Sequence, residues 1–453
     1  MSTKRSIYEE LVIESNDQKR TIDLRTGTVS IDYYEDIFSP TITAKIQIAN
    51  GGDTVSAPDN EGNADGPKQS IYNGLPLRGG ERVTLKIAGN SSTNPGIDFS
   101  SDPKKYLYVS SITDVISETQ RETFTLHLVS REAISNETSR VGKKYSSAST
   151  IDNSVKDILK NYIKTTRIGT IDKTSNKYAF IGNLRKPFTV LVWLASKAVP
   201  DSSGDATAGF VFYQNQDGFQ FRSIDGLISQ TPKAEYVYTE VNQSEFEYEG
   251  TSTLPNNNFK ILNYSTNKNQ NLIEKLRMGT YSSYRIFYNP LDFTFTDPQK
   301  GKFKLEDYVG GVKNLGQKLK VPKISSNPDI FLSDIPTRFL TQILDVGTME
   351  KDVSTEINSD PFKYQSQSIM RYNILFTQTL DMIVPSNTNL RAGDIISCKF
   401  PKISRQNKEE FDSEQSGLYM IKELCHHFDS TGSYTSMKLV RDTFGLYGTN
   451  NKR

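Results

Sequence analysis

The sequence is short of the residues that carry chemistry near neutral pH. Three histidines (His127, His426, His427), two cysteines (Cys398, Cys425) and one tryptophan occur in 453 residues. That leaves little imidazole for acid–base catalysis or histidine-rich metal sites, and it argues against a secreted disulfide scaffold. Charge of one sign is lacking too. With 54 lysines and arginines against 53 aspartates and glutamates, neither a polybasic nucleic-acid or membrane-surface protein nor an acidic tail is expected. No apolar run follows Met1-Ser2-Thr3-Lys4-Arg5, so no signal peptide is expected. The most apolar stretch, 188–199, is broken by Lys197 and falls short of the ~18 residues a membrane helix needs. The expectation is a soluble chain made in a reducing cytosol, long enough to fold without disulfide or metal staples.

What is plentiful is aromatic: 23 Tyr and 23 Phe lean the composition toward strands. Period-two alternation runs through Val29, Ile31, Tyr33; Ile42, Ala44, Ile46, Ile48; Val83, Leu85, Ile87; and Phe124, Leu126, Leu128, as in antiparallel strands with one wet face. The polar segments 50–70 and 88–105 read as surface insertions. The period then changes. Ile151, Val155, Ile158, Leu159, Tyr162 and Ile163 fall at helical spacing behind Ser149-Thr150, which can cap the first amides. A second helix is expected from Pro187 through Ala198, then a hairpin over 209–223 turning at Gln216-Asp217-Gly218. Further strands are expected at 236–249 and 284–295, a short helix at 271–277, and an amphipathic helix at 337–344. The last residues alternate again: Tyr372, Ile374, Phe376; Ile395, Ile396, Phe400; Tyr419, Ile421; Met437, Leu439.

The two ends echo each other. Leu77-Arg78-Gly79-Gly80-Glu81-Arg82-Val83-Thr84-Leu85-Lys86-Ile87 aligns without a gap on Leu390-Arg391-Ala392-Gly393-Asp394-Ile395-Ile396-Ser397-Cys398-Lys399-Phe400, an offset of 313 (390 − 77). Leu107-Tyr108 then answers Leu418-Tyr419, and Leu126-x-Leu128-Val129 answers Met437-x-Leu439-Val440, both at 311 (418 − 107). The physical reading is a glycine turn feeding a strand, used twice. Three chains with two such units each would present six quasi-equivalent units under threefold symmetry.

With these patterns in place, the sequence resembles the central baseplate hub subunit of T-even-like contractile-tailed phages, whose fold is shared by the hub part of type VI secretion spike proteins. The resemblance is carried by 124–132 (FTLHLVSRE), 140–159 (RVGKKYSSASTIDNSVKDIL), 184–198 (LRKPFTVLVWLASKA), 209–223 (GFVFYQNQDGFQFRS) and the strand pair in 418–441. It implies a homotrimer whose two tube-type barrels per chain form a pseudo-sixfold ring. That ring would join the tail tube protein to a trimeric spike protein, among other baseplate proteins, and leave a lumen for tape-measure protein and DNA. The segments 50–70 and 404–417 depart from the pattern.

Candidate chemistry is sparse. Cys425-His426-His427 with Cys398 has zinc-ligand residue types, but neighbours on a strand face opposite ways, which makes a structural role the expectation. Gly311-x4-Gly316-Gln317-Lys318 lacks the Ser/Thr of a phosphate loop, Leu319 standing there. No Gly-x-Ser-x-Gly elbow occurs, and Glu409, Glu410, Asp412 and Glu414 sit in a polar loop without a desolvated pocket. In T-even-like phages the lysozyme activity belongs to the spike protein, which fits its absence here. Lys143-Lys144 and the i, i+4, i+8 series Lys156, Lys160, Lys164 read as a solvated basic stripe. Tyr281, Tyr284, Phe287, Tyr288, Phe293 and Phe295 read as barrel wall with some members at a subunit joint.

The expected fold is a β-rich α+β chain with two similar antiparallel β-barrel (tail-tube-like) domains plus smaller α+β domains. The expected division is a first barrel at 1–131, an α+β middle domain at 132–230, a second barrel from 231–298 and 364–446, an inserted mixed domain at 299–363, and a tail at 447–453. The expected role is non-enzymatic and structural, in the virion tail baseplate, with no catalytic, cofactor-binding or metal residues. A receptor- or carbohydrate-binding tail protein and a tail-associated cell-wall hydrolase are the competing classes.

Overall fold

Alternating apolar side chains become strands in the computed structural model, which describes residues 3–52, 55–56, 67–201, 207–239, 257–267, 271–309, 314–317, 319–324, 326–345, 361–402 and 411–445. The N-terminal strands are β1 (Ile7–Glu14), β2 (Thr21–Asp23), β3 (Thr28–Asp36), β4 (Thr43–Asn50), β5 (Arg82–Ala88), β6 (Gly96–Asp98), β7 (Leu107–Ser117) and β8 (Glu122–Ser130). They pair antiparallel in the order β3-β4-β8-β7-β5-β1-β2, with β6 on β5. Because side chains alternate across a strand, Leu11, Ile31, Ile46, Leu85 and Leu126 meet in one core. The segment 88–105 is not the surface insertion its polarity suggests. Pairing of β6 with β5 turns Ile97 and Phe99 into this core, where the Phe99 ring lies 5.2 Å from Tyr33. Much of 50–70 lies outside the described residues.

The middle part follows the change of period. A helix at Ile151–Ile158 runs on into a π-turn at Leu159–Ile163, ending where Lys164 takes a left-handed conformation (φ 57). Thr150 occupies the N-cap, but its hydroxyl donates to Asp152 (2.6 Å) and does not accept from the first amides, so the expected cap is absent. A helix at Pro187–Ala195 has proline in its first turn. The hairpin of β9 (Phe210–Asn215) and β10 (Gly218–Ser223) packs against both helices. Gly218 has φ 127, and a Cβ there would meet the Arg167 carbonyl oxygen at 2.6 Å, so glycine is required.

The remaining chain interleaves a second strand set with a small insert. Its strands are β11 (Glu235–Tyr238), β12 (Lys260–Ile261), β13 (Asn263–Asn267), β14 (Ser282–Tyr288), β15 (Lys302–Lys304), β16 (Arg338–Ile343), β17 (Gln378–Pro385), β18 (Ile395–Lys399), β19 (Gly417–Asp429) and β20 (Ser433–Arg441). The strand expected over 236–249 begins here as β11, and residues 240–249 lie outside the described residues. Three expectations are overturned. Residues 337–344 do not form a helix: β16 pairs in parallel with β14, and its alternate residues line two faces of a strand. Tyr372 and Ile374 do not belong to a strand but to a helix, Pro361–Leu375, whose Met370, Ile374 and Leu375 are buried at helical spacing. The aromatic segment also lies elsewhere than expected, since β14 belongs to a separate sheet β15-β14-β16. Phe293 and Phe295 beyond it are 75% and 65% exposed.

The second set runs β13-β17-β20-β19-β18-β11-β12. Taken strand by strand, β13, β17, β20, β19, β18, β11 and β12 occupy the places of β3, β4, β8, β7, β5, β1 and β2, and each series also follows the same order along the chain. The sequence echo is its local sign. Gly80 and Gly393 both have φ 91. The Arg78 amide donates to Glu81 (2.7 Å) as the Arg391 amide does to Asp394 (2.8 Å). Gly80 donates to Val109 (2.7 Å) as Gly393 does to Ile421 (2.8 Å). Register corrects one detail. Leu107 faces Val83 and Tyr419 faces Ile396, so this stretch matches at 312 (419 − 107) and not 311. The strands carry bulges at matching places, past Ser110 and Lys422. One strand differs in direction: β1 is antiparallel to both β5 and β2, whereas β11 is parallel to both β18 and β12.

Candidate functional site at the joint of the two strand sets

Among the described residues the two sets fuse into one fifteen-stranded sheet through one antiparallel ladder, β19 against β3, running from Glu423 opposite Asp36 to Asp429 opposite Ser30. The last seven residues of β19 thus join the N-terminal set while its first four pair with β18. Alternation splits the joint into two faces. On one, His426 is fully buried, stacked 6.1 Å from Tyr33 and bonded through Nδ1 to Thr435 Oγ1 (3.0 Å). Burial, helped by the charge of Arg391, pushes its pKa down to about 3, so it stays neutral. On the other face, His427 lies between two carboxylates, Nδ1 at 2.5 Å from Asp32 and Nε2 at 3.1 Å from Asp429, with its ring on Tyr434.

The hydrogen bond to Asp32 raises the His427 pKa, burial opposes it, and Asp429 adds to the rise. A raised histidine contributes stability that is fully present below the ordinary value of ~6.5 and is lost as pH rises through the folded value. The melting temperature is therefore expected to fall from about pH 6 to about pH 9 more steeply in the native chain than in His427→Gln. Parallel curves for the two proteins would show that the joint does not sense this proton.

Two buried ionisable groups tie distant parts of the chain together. Glu35, on β3, accepts hydrogen bonds from the Tyr33 hydroxyl (2.7 Å), from the Gln216 amide in the middle hairpin (2.7 Å) and from the Ala392 amide in the second set (2.9 Å). Burial raises its pKa, against the lowering effect of Arg391 and of these bonds. Arg371, on the Pro361–Leu375 helix, is fully buried between Asp225 (2.7 Å) and Asp442 (3.0 Å). Asp442 also accepts from the Leu315 amide (2.9 Å). Burial works against the Arg371 charge, but the two carboxylates outweigh it and raise its pKa.

Among the described residues, those singled out from sequence are dispersed over several elements. His426 and His427 point to opposite faces, and among the described residues no group of three or more His, Cys, Asp or Glu side chains is placed to hold a metal ion. Burial raises both thiols, Cys425 to about 12 and Cys398 further. His127 lies on β8 with Nε2 at 3.0 Å from the Thr113 hydroxyl. Gly311 and Lys318 lie outside the described residues; Gly316 and Gln317 pack on 443–445. Glu409 and Glu410 also lie outside them, and Asp412 accepts from the Glu414 and Gln415 amides in a tight turn. The lysine series is not one stripe. Lys156 pairs with Asp152 (2.9 Å), Lys143 pairs with Asp157 (3.2 Å), and the π-turn takes Lys164 off the helix face. No helix among the described residues is long and apolar enough to cross a membrane.

No family model matches the chain. In sequence it is similar to the probable baseplate hub protein gp334 of Vibrio phage KVP40, 20% identical over 295 residues, which are 65% of this chain and 66% of that protein. The alignment thus spans just under two thirds of that relative's length. In structure it is similar to the tail protein from Neisseria meningitidis MC58, with a TM-score of 0.50 at 9% identity over 96% of each chain. It is also similar to the 43 kDa tail protein of prophage MuSo2 from Shewanella oneidensis, with a TM-score of 0.49 at 9% identity over 96% of this chain and 100% of that one. The chain therefore resembles a phage baseplate hub protein in sequence and shares the β-rich α+β fold of a tail protein.

Proposed function

We propose that the chain is a structural, non-enzymatic virion protein: the trimeric central hub of a contractile-tail baseplate, adapting a sixfold tail tube to a threefold spike around a channel for tape measure and DNA. The observation that carries this reading is the one-to-one match of seven strands between the two sets, in neighbour order and chain order alike. A duplicated unit lets three chains imitate a hexagon. Each set is read as a barrel. In the second, Leu262 alone separates β12 from β13, and its amide donates to Ile383 on β17 (2.9 Å). One continuous segment therefore touches β11 at its start and β17 along the rest, at opposite ends of the strand order. The division is read as 1–131, 132–230, the second unit from 231 and through 364–446, and an insert over 299–363 to which β14 contributes. The similarity to gp334 supports the baseplate setting, with spike, tube and other plate proteins as partners.

The test is the mass of the purified full chain in solution. Particles of three times the 51.0 kDa chain mass are expected, ring-shaped with a central hole by electron microscopy. A monomer at every concentration that binds glycans, or turns over cell-wall material, would replace this reading with a receptor-binding or hydrolase one.

A further inference from the structure

The β19–β3 ladder joins unit two to unit one within a chain, and the matching of units says which edges would make the same joint between chains. The counterpart of β19 is β7 and that of β3 is β13. In β19 the edge past the bulge is covered by β3, and Leu424, His426 and Phe428 are buried. In β7 the edge past the bulge pairs with nothing among the described residues. Its side chains are exposed, Val115 at 41% and Ile116 at 58%. On the far side, β13 pairs with β17 alone among the described residues. An exposed apolar strand edge is a template for pairing with another chain, and here the covered counterpart shows what covers it.

We propose that β7 of one copy pairs antiparallel with β13 of a second copy of this chain, repeating the intrachain β19–β3 joint between subunits. This deepens the trimeric reading and rests on it. Register follows from the matched ladders. Thr113 faces Thr125 as Cys425 faces Ser436, and Asn267 faces Thr379 as Tyr34 faces Thr43. Since Cys425 faces Tyr34 in the joint, Thr113 faces Asn267 of the next copy. Asp114 (φ 55) lies at the register shift between Thr113 and Ile116 and adds one residue. Beyond it Ile116 faces Thr123 as His427 faces Tyr434, so Ile116 takes the place opposite Ser265, the counterpart of Asp32. The contact is heterologous: each copy offers one β7 edge and one β13 edge, so successive copies add head to tail and the ring closes at three.

Facing residues in an antiparallel pair have Cα atoms about 4.5–5.5 Å apart, within disulfide range. Thr113 and Asn267 are exposed, so cysteines there leave the subunit core intact. The doubly substituted Thr113→Cys/Asn267→Cys chain, oxidised and run without reductant, is expected to give covalent dimers and closed trimers. Each single variant alone should give none, and the two singles mixed should give dimers only. Thr113→Cys/Asn263→Cys, displaced by about 13 Å along the strand, should not cross-link. Trimers by mass with no cross-link in the first pair, or equal cross-linking in the displaced pair, would overturn the ladder and leave the trimer standing. Monomers at every concentration would overturn both.

Discussion

Replacing Arg371 with methionine is expected to destabilise the chain by about 3–5 kcal/mol, because it leaves the buried carboxylate of Asp442, and the partly buried one of Asp225, without their counter-charge. The guanidinium is 1% exposed, and Asp442 beside it is fully buried. The Arg371 side chain joins three parts of the chain. It sits on the helix that precedes β17, bonds Asp225 just after the middle hairpin, and bonds Asp442 just after β20. Asp442 in turn holds the Leu315 amide of the insert. The loss should therefore appear in denaturant unfolding as a shift of the main transition and not as fraying of one end. Adding Asp442→Asn and Asp225→Asn to Arg371→Met should recover part of it, since removing all partners of a buried ion network costs less than removing one. If the single variant stays within about 0.5 kcal/mol of the native chain, as surface substitutions do, the network carries no weight in holding these parts together.

Much of the strand framework was legible because one wet face and one dry face leave a period of two in the sequence. The glycine turns at Gly80 and Gly393 were legible because a positive φ restricts the residue there. Both signals are local. The errors came where local signals conflict. Tyr372 and Ile374 alternate like strand residues, yet they also fit the helical spacing that buries Met370, Ile374 and Leu375, and packing decided for the helix. Residues 338–343 had apolar residues compatible with a helix, but parallel pairing with β14 drew them into a sheet. The polar segment 88–105 hid Ile97 and Phe99, whose burial depends on β6 reaching β5.

The joint itself left a fainter trace. Glu35 falls two residues after Tyr33 and four after Ile31, on the same alternating face, so a carboxylate stands in a row of core residues. That is the sequence signal of a buried acid with partners, and it could have been found. Which amides it would meet could not, since Gln216 and Ala392 lie 181 and 357 residues away. The pairing of Arg371 with Asp225 and Asp442 was hidden for the same reason. The unpaired edges of β7 and β13 became visible only once the two ladders could be set against each other.

Glu35→Ala is expected to cost about 3 kcal/mol, since it strands the buried Ala392 amide, the buried Tyr33 hydroxyl and the part-buried Gln216 amide, at a penalty of about 1–3 kcal/mol for each buried group left unsatisfied. Glu35→Gln should cost less. Its carbonyl can keep the bonds to Tyr33 and Gln216, while its amide nitrogen faces the Ala392 N–H and loses that bond. The pH dependence separates charge from geometry. A carboxyl whose pKa is raised by burial contributes stability that is present below the ordinary glutamate value of ~4.3 and lost as pH rises through the folded value. The native chain should show that slope in the acid limb of its stability curve, and Glu35→Gln should lack it. Stability in the order native, Gln, Ala, with the slope missing from both variants, would identify this carboxyl as the tie between β3, the middle hairpin and the turn before β18. If Ala and Gln prove equally stable, the three hydrogen bonds are not what holds that junction, and its rigidity must come from the apolar contacts of Ile37, Tyr213 and Ile395 that lie in the same cluster.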